Sequence, residues 1–150
     1  MIAVIQRVKH ASVKIENEIC GECGGGLMIL LGVAVGDGEE DARLLASKIS
    51  RLRIFCDEQG KMNLSIKDVG GEALVVSNFT LLANYKKGNR PDYMNAAQPA
   101  EADRLYEFFT ELLRAEIGRV ETGRFGADMA VSLLNDGPVT IVMDSQVLKK

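Results

Sequence analysis

The sequence predicts an α+β fold: one compact domain over residues 1–150, built from a curled, barrel-like mixed β-sheet and two main flanking helices. Three observations predict it. Short β-branched and apolar runs, bounded by glycine, proline and asparagine, recur along the chain. Two longer stretches carry their apolar residues at helical spacing instead. The length of 150 residues suits a single core, which at this size hides roughly two-thirds of the surface of the unfolded chain.

Ile2 to Val8 and Ala11 to Glu16 read as two paired strands with a polar break at Lys9-His10, and Asn17-Glu18 turns the chain. Leu27 to Val35 is a continuous apolar run after three glycines, too short for a usual helix, and reads as a buried central strand. Asp37 with Glu40 resembles a capping box ahead of Ala42, Leu45, Ala46 and Ile49, which share one helix face. Leu52 to Phe55 predicts another strand, and Asp57 to Lys61 a tight turn. Leu74 to Leu82 predicts a strand that carries polar Ser77, Asn78 and Thr80. Asn84 to Ala97, with Gly88 and Pro91, predicts an exposed loop. Pro99 opens a second helix, whose stripe of Leu105, Phe108, Phe109, Leu112 and Leu113 faces the core, and Gly118 ends it. Val120 to Thr122, Met129 to Asn135 and Val139 to Met143 complete the strands, with Gly137-Pro138 between the last two.

Hydrophobic and charged fractions of 47% and 26% are those of an ordinary soluble domain, and no apolar run approaches the ~18 residues of a membrane span. Met1 to Arg7 reaches a charge too soon for a secretory signal, so a cytoplasmic location is expected. Three cysteines, an odd number, agree with a reducing compartment. Cys20 and Cys23 form a lone C-x-x-C with only Cys56 and His10 left to complete a zinc site, so no metal is expected. A net charge of −3 argues against non-specific binding along a nucleic-acid backbone, while leaving room for a grip on one RNA end.

Nucleophilic catalysis needs a base beside the nucleophile, and His10 is the one histidine of the chain. A Ser-His-Asp triad is therefore not expected. Gly21 to Gly26 lacks the Gly-Lys-Ser/Thr ending of a phosphate loop and precedes a strand. Two segments stand out: Ser77-Asn78-Phe79-Thr80-Leu81, where polar groups interrupt an apolar strand, and Asn135-Asp136-Gly137-Pro138-Val139-Thr140, where proline opens a β-branched run. Taken alone, the first is explained equally well by a strand end facing solvent, and the second is by default a plain turn.

Together, in this order, the two segments resemble the signature pair of the D-aminoacyl-tRNA deacylases (the D-tyrosyl-tRNA(Tyr) deacylase family). Further matches run through Ile5-Gln6-Arg7-Val8, Gly60-Lys61-Met62-Asn63, Arg90-Pro91 and Thr122 to Met129, so the likeness spans essentially the whole chain. The chain departs from the pattern at Asn78, where the family has glutamine.

The resemblance implies a barrel-like deacylase fold, a homodimer, no cofactor, and hydrolysis of the ester bond of D-aminoacyl-tRNA as chiral proofreading, with mischarged glycyl-tRNA also a substrate. It implies catalytic roles for Ser77, Asn78, Phe79 and Thr80. It assigns substrate binding and chiral selection to Gly137, Pro138, Met129, Phe125 and Arg7. The Gly137-Pro138 bond is implied to be cis and to reach into the partner's site, where its carbonyls block an L side chain and leave space for hydrogen or a D side chain. The alternative is a non-catalytic module that binds aminoacyl-adenosine or an RNA end.

Overall fold

A computed structural model describes all 150 residues. Its elements are β1 (Ile2–Ile15), β2 (Glu18–Cys23), β3 (Gly26–Gly32), α1 (Glu39–Arg51), β4 (Phe55–Cys56), β5 (Met62–Leu64), β6 (Glu72–Ser77), a 3₁₀ turn (Phe79–Leu82), α2 (Pro99–Ile117), β7 (Val120–Thr122), β8 (Ala130–Asp144) and α3 (Ser145–Leu148). The main sheet runs β2-β1-β3-β6-β7, and β8 pairs with β1. β1 is antiparallel to β2, β3 and β8, whereas β3-β6 and β6-β7 are parallel, so the sheet is mixed.

The sheet curls until β2 meets β7. Cys20 and Glu22 reach Thr122 and Glu121, and a Cβ on Gly21 would lie 2.3 Å from the Thr122 carbonyl oxygen. Only glycine permits that approach, so Gly21 sets how tightly the barrel closes. The two expected main helices α1 and α2 pack on each other and on the sheet. Ile5, Leu27, Ile29, Leu45, Ile49, Leu105 and Phe109 are fully buried in the common core.

Several elements differ from the sequence reading. The two N-terminal strands are one, because Lys9 and His10 stay exposed on a strand whose register against β8 shifts on either side of Val8. The turn falls one residue earlier, at Glu16-Asn17, both with positive φ (51° and 68°), as a tight hairpin requires. β3 ends at Gly32, and Leu52 to Ile54 lie outside β4, which keeps Phe55 and Cys56 alone. The strand expected to reach Leu82 stops at Ser77, where Asn78 starts a 3₁₀ turn. The last two expected strands are the single β8.

β8 is nevertheless broken locally. Between the pairs Gln6–Thr140 and Val8–Asn135, one residue of β1 faces four of β8, so Asp136 to Val139 bulge from the sheet. The Gly137-Pro138 peptide on this bulge is cis.

Candidate active site

The end of β6 and the 3₁₀ turn after it form one wall of a cavity of about 780 Å3, the size of a small-molecule site. Ser77, Asn78, Phe79 and Thr80 line it, and Phe125 and Met129 line it from the segment that leads into β8. These six are the residues that the sequence reading placed in the site and the fold brings together. Arg7, Gly137 and Pro138 do not line this cavity.

The turn sits where it does because β3 ends in glycine. A Cβ on Gly32 would come within 2.6 Å of Leu82 and 3.0 Å of the Asn78 carbonyl oxygen, so a larger residue would push the turn outward. The Asn78 N–H donates to Leu31 (2.8 Å) and continues the β3–β6 pairing by one residue. The Asn78 side chain then folds back: its Oδ1 accepts from the Thr80 N–H at 3.2 Å and from the Thr80 hydroxyl. It is the N-cap of the turn. The Thr80 amide is thus already engaged, which leaves the Phe79 N–H as the candidate donor to an oxyanion. Phe79 stacks edge-on against Tyr93 at 4.9 Å, and Tyr93 carries the wall into the loop expected over Asn84 to Ala97.

Arg7 is buried on the other side of the sheet strand and holds the β8 bulge. Its Nε donates to the Asp136 carbonyl (2.9 Å), and its Nη1 donates to the Ile54 carbonyl (2.7 Å). Asn135 closes the bulge from within: its amide donates to the Arg7 and Val139 carbonyls (3.0 and 2.9 Å), and its Oδ1 accepts from the Val139 N–H (3.2 Å). In the sequence Asn135 is only the first residue of its motif; an amide with both donor and acceptor positions is what a four-residue bulge needs. Tyr93 and Asp128, also on the cavity wall, were not singled out. Tyr93 lies in a polar loop with no periodicity to mark it, and Asp128 is the only formal charge lining the cavity.

No histidine or activated thiol stands ready in the cavity. His10 is exposed on β1 and outside the cavity lining. Burial pushes the Cys23 thiol up to about 11, so it is inert as a nucleophile. Burial also pushes Tyr106 up to about 12, and its hydroxyl donates to the Val75 carbonyl at 3.0 Å. No group of three or more His, Cys, Asp or Glu residues is placed to hold a metal ion.

Fold and cavity together define a class. A solved structure described as a probable eukaryotic D-amino acid tRNA deacylase superposes with a TM-score of 0.81 at 16% identity, covering 95% of this chain and 98% of that one. Another, described as the c-Myc DNA unwinding element binding protein, superposes with a TM-score of 0.91 at 40% identity, covering 96% and 98%. The sequence comparisons are narrower: the model of the D-Tyr-tRNA(Tyr) deacylase family matches residues 4–144, and this chain belongs to that family. A D-aminoacyl-tRNA deacylase of Ruegeria pomeroyi is 59% identical over 144 residues, covering 96% of this chain and 99% of the relative. One of Anaeromyxobacter dehalogenans is 55% identical over 148 residues, covering 99% of each. The chain is thus an enzyme with a deacylase role, and the non-catalytic alternative is not favoured.

Proposed function

We propose that this protein hydrolyses the ester joining a D-amino acid, or glycine, to the terminal adenosine of tRNA, and that it works in the cytoplasm as a homodimer. The observation that carries this reading is the convergence of Ser77 to Thr80, Phe125 and Met129 on one cavity of suitable size. The aminoacyl ester enters with its carbonyl oxygen toward the Phe79 N–H, and Phe125 and Met129 wall the site with apolar surface. As water attacks the carbonyl carbon, charge develops on the oxygen that this amide faces, so the donor acts where the transition state needs it. The carbon–oxygen bond to the ribose breaks, and the ribose oxygen leaves with a proton.

Chiral selection comes from the bulge of the second subunit. Arg7 and Asn135 hold Asp136 to Val139 proud of the sheet, so that the Gly137 and Pro138 carbonyls can stand against the α-carbon in the partner's cavity. An L side chain collides with that wall; hydrogen or a D side chain clears it. The homodimer is supported by apolar residues that the single chain leaves exposed along β8: Val131, Leu134 and Val142. No helix is long and apolar enough to cross a membrane.

A single-turnover assay on D-tyrosyl- and L-tyrosyl-tRNA tests the reading. Release of D-tyrosine well above the buffer rate, with L-tyrosine retained, is expected; equal rates for both would overturn chiral selection, and no release would overturn the activity. Light scattering under assay conditions tests the assembly, where a fully active monomer would remove the role of the bulge across subunits.

A further inference from the structure

We infer that the tip of the loop between the 3₁₀ turn and α2 is a docking site for phosphates of the RNA end whose terminal nucleotide occupies the cavity. Lys86, Lys87 and Arg90 lie within five residues of one another, all are exposed, and none has a carboxylate partner. Five other surface cations, Arg43, Lys67, Arg104, Arg114 and Arg119, are each held by a glutamate instead. The three thus form an unpaired positive patch in a chain whose net charge is −3, and they sit on the loop that also lines the cavity.

The cluster is also held in place. Asn84 and Asp92 exchange backbone hydrogen bonds (2.8 and 3.0 Å), closing the base of the tip, and the Asn84 Oδ1 accepts from the Lys86 N–H at 3.2 Å. Farther on, Asn95 and Ala97 bond to Val35 and Val33 at 2.9 Å each, which fixes the loop to the end of β3. The same loop supplies Tyr93, Ala96 and Ala97 to the cavity wall, so tip and wall belong to one anchored loop. Tyr85, 79% exposed beside Lys86, offers a ring face to a base.

Charge sets the direction of approach. Asp128, on another lining segment, repels phosphates, and neighbouring Arg124 shares its groove with Arg114 and three carboxylates, Asp103, Glu107 and Glu111. A polyanionic strand therefore leaves the cavity over the Lys86–Arg90 tip. Contacts to phosphates release counterions, with a slope of log affinity against log salt of roughly −0.7 per phosphate for a single strand.

This rests on the cavity being the catalytic site, and the experiment separates the two. kcat/KM is measured for D-tyrosyl-tRNA and for D-tyrosyl-adenosine, which keeps the ester and lacks the phosphates. In the combined Lys86→Gln, Lys87→Gln, Arg90→Gln variant, the tRNA-to-adenosine ratio of kcat/KM should fall about tenfold, and the salt slope for tRNA should flatten by roughly 2. A combined Lys86→Arg, Lys87→Arg, Arg90→Lys variant should keep both, since only charge is required. An unchanged ratio and slope in the glutamine variant would overturn the docking site. A separate variant, Ala127→Trp, fills the cavity: if it still cleaves D-tyrosyl-adenosine at the wild-type rate, the cavity reading has failed instead.

Discussion

Asn78 and Asn135 show how a single side-chain amide can organise the backbone around it. Asn78 caps the turn that carries Phe79 and Thr80, and its departure from the family's glutamine was visible in the sequence although its consequence was not. One methylene fewer lets the side chain return to its own turn and occupy the Thr80 amide. Asn78→Gln should therefore cost about 1 kcal/mol of stability through the lost cap, seen as a lower Tm. It frees the Thr80 N–H for the oxyanion, so the single-turnover rate should hold or rise; a tenfold fall, about 1.4 kcal/mol, would show that the cap itself is required. Asn135 makes three hydrogen bonds around the β8 bulge, and Asn135→Ala should cost about 2 kcal/mol, at roughly 1 kcal/mol per net bond with part recovered by water. Because the bulge is argued to act in the partner's cavity, the same variant should also narrow the D/L rate ratio; an unaltered ratio would reduce Asn135 to a structural role. Motif residues were legible because their types and order are unusual, whereas Tyr93 became visible only through its contact with Phe79.

Elements were legible where a local pattern decides them and obscure where a distant contact does. The α1 periodicity survives intact because its buried face is written every three to four residues, whereas in α2 Leu105, Phe109 and Leu113 are buried with Tyr106 and Thr110, and Phe108 and Leu112 pack at the margin of the core. The start of α1 was misplaced, since Asp37, Glu39, Glu40 and Asp41 offer several capping spacings and tertiary structure chooses among them. Gly38 is the N-cap and Asp41 the reciprocal partner of its N–H at 2.8 Å, while Asp37 pairs with the buried Met1 ammonium at 2.7 Å. Asp41 also accepts from Ser145 (2.6 Å) and from Lys149 (3.0 Å), tying α1 to the chain's last residues. Burial by itself would raise its carboxyl, but the Ser145, Gly38 and Lys149 donors outweigh burial and lower it to about 2. A folded value below the unfolded one of about 4 means that this link stabilises fully above pH ~4 and is lost as pH falls from 4 toward 2, a loss of about 2 kcal/mol. Urea unfolding at pH 6 and pH 3 should show that part of the decline disappearing in Asp41→Asn, which is weaker at pH 6; identical pH dependence in both proteins would remove Asp41 from the account.

At the scale of the whole molecule, the cavity offers apolar walls and the Phe79 amide, with no histidine among its lining residues. Thr80 donates its hydroxyl to the Asn78 side-chain Oδ1, an amide oxygen that cannot take the proton away, so Thr80 is poorly placed as a nucleophile. Asp128 is the single formal charge on the cavity wall and is exposed there, unsupported by any hydrogen bond of its own that would orient it. The substrate, by contrast, brings a ribose 2'-hydroxyl next to the ester in every encounter, already positioned by covalent structure. The mechanism that fits is one in which that hydroxyl orients the attacking water and passes its proton, while the Phe79 N–H holds the oxyanion. Hydrolysis of a substrate ending in 2'-deoxyadenosine, with the D-amino acid on the 3'-oxygen, should then be slower by about a hundredfold at equal binding, near 2.7 kcal/mol, the scale of one lost transition-state contact. Thr80→Ala should retain most of the wild-type single-turnover rate on the normal substrate, and Asp128→Asn likewise. If Thr80→Ala is inactive and the deoxy substrate reacts normally, the threonine is a nucleophile; if Asp128→Asn shows that pattern, the carboxylate is the base. Either result would move the chemistry from the RNA to the protein.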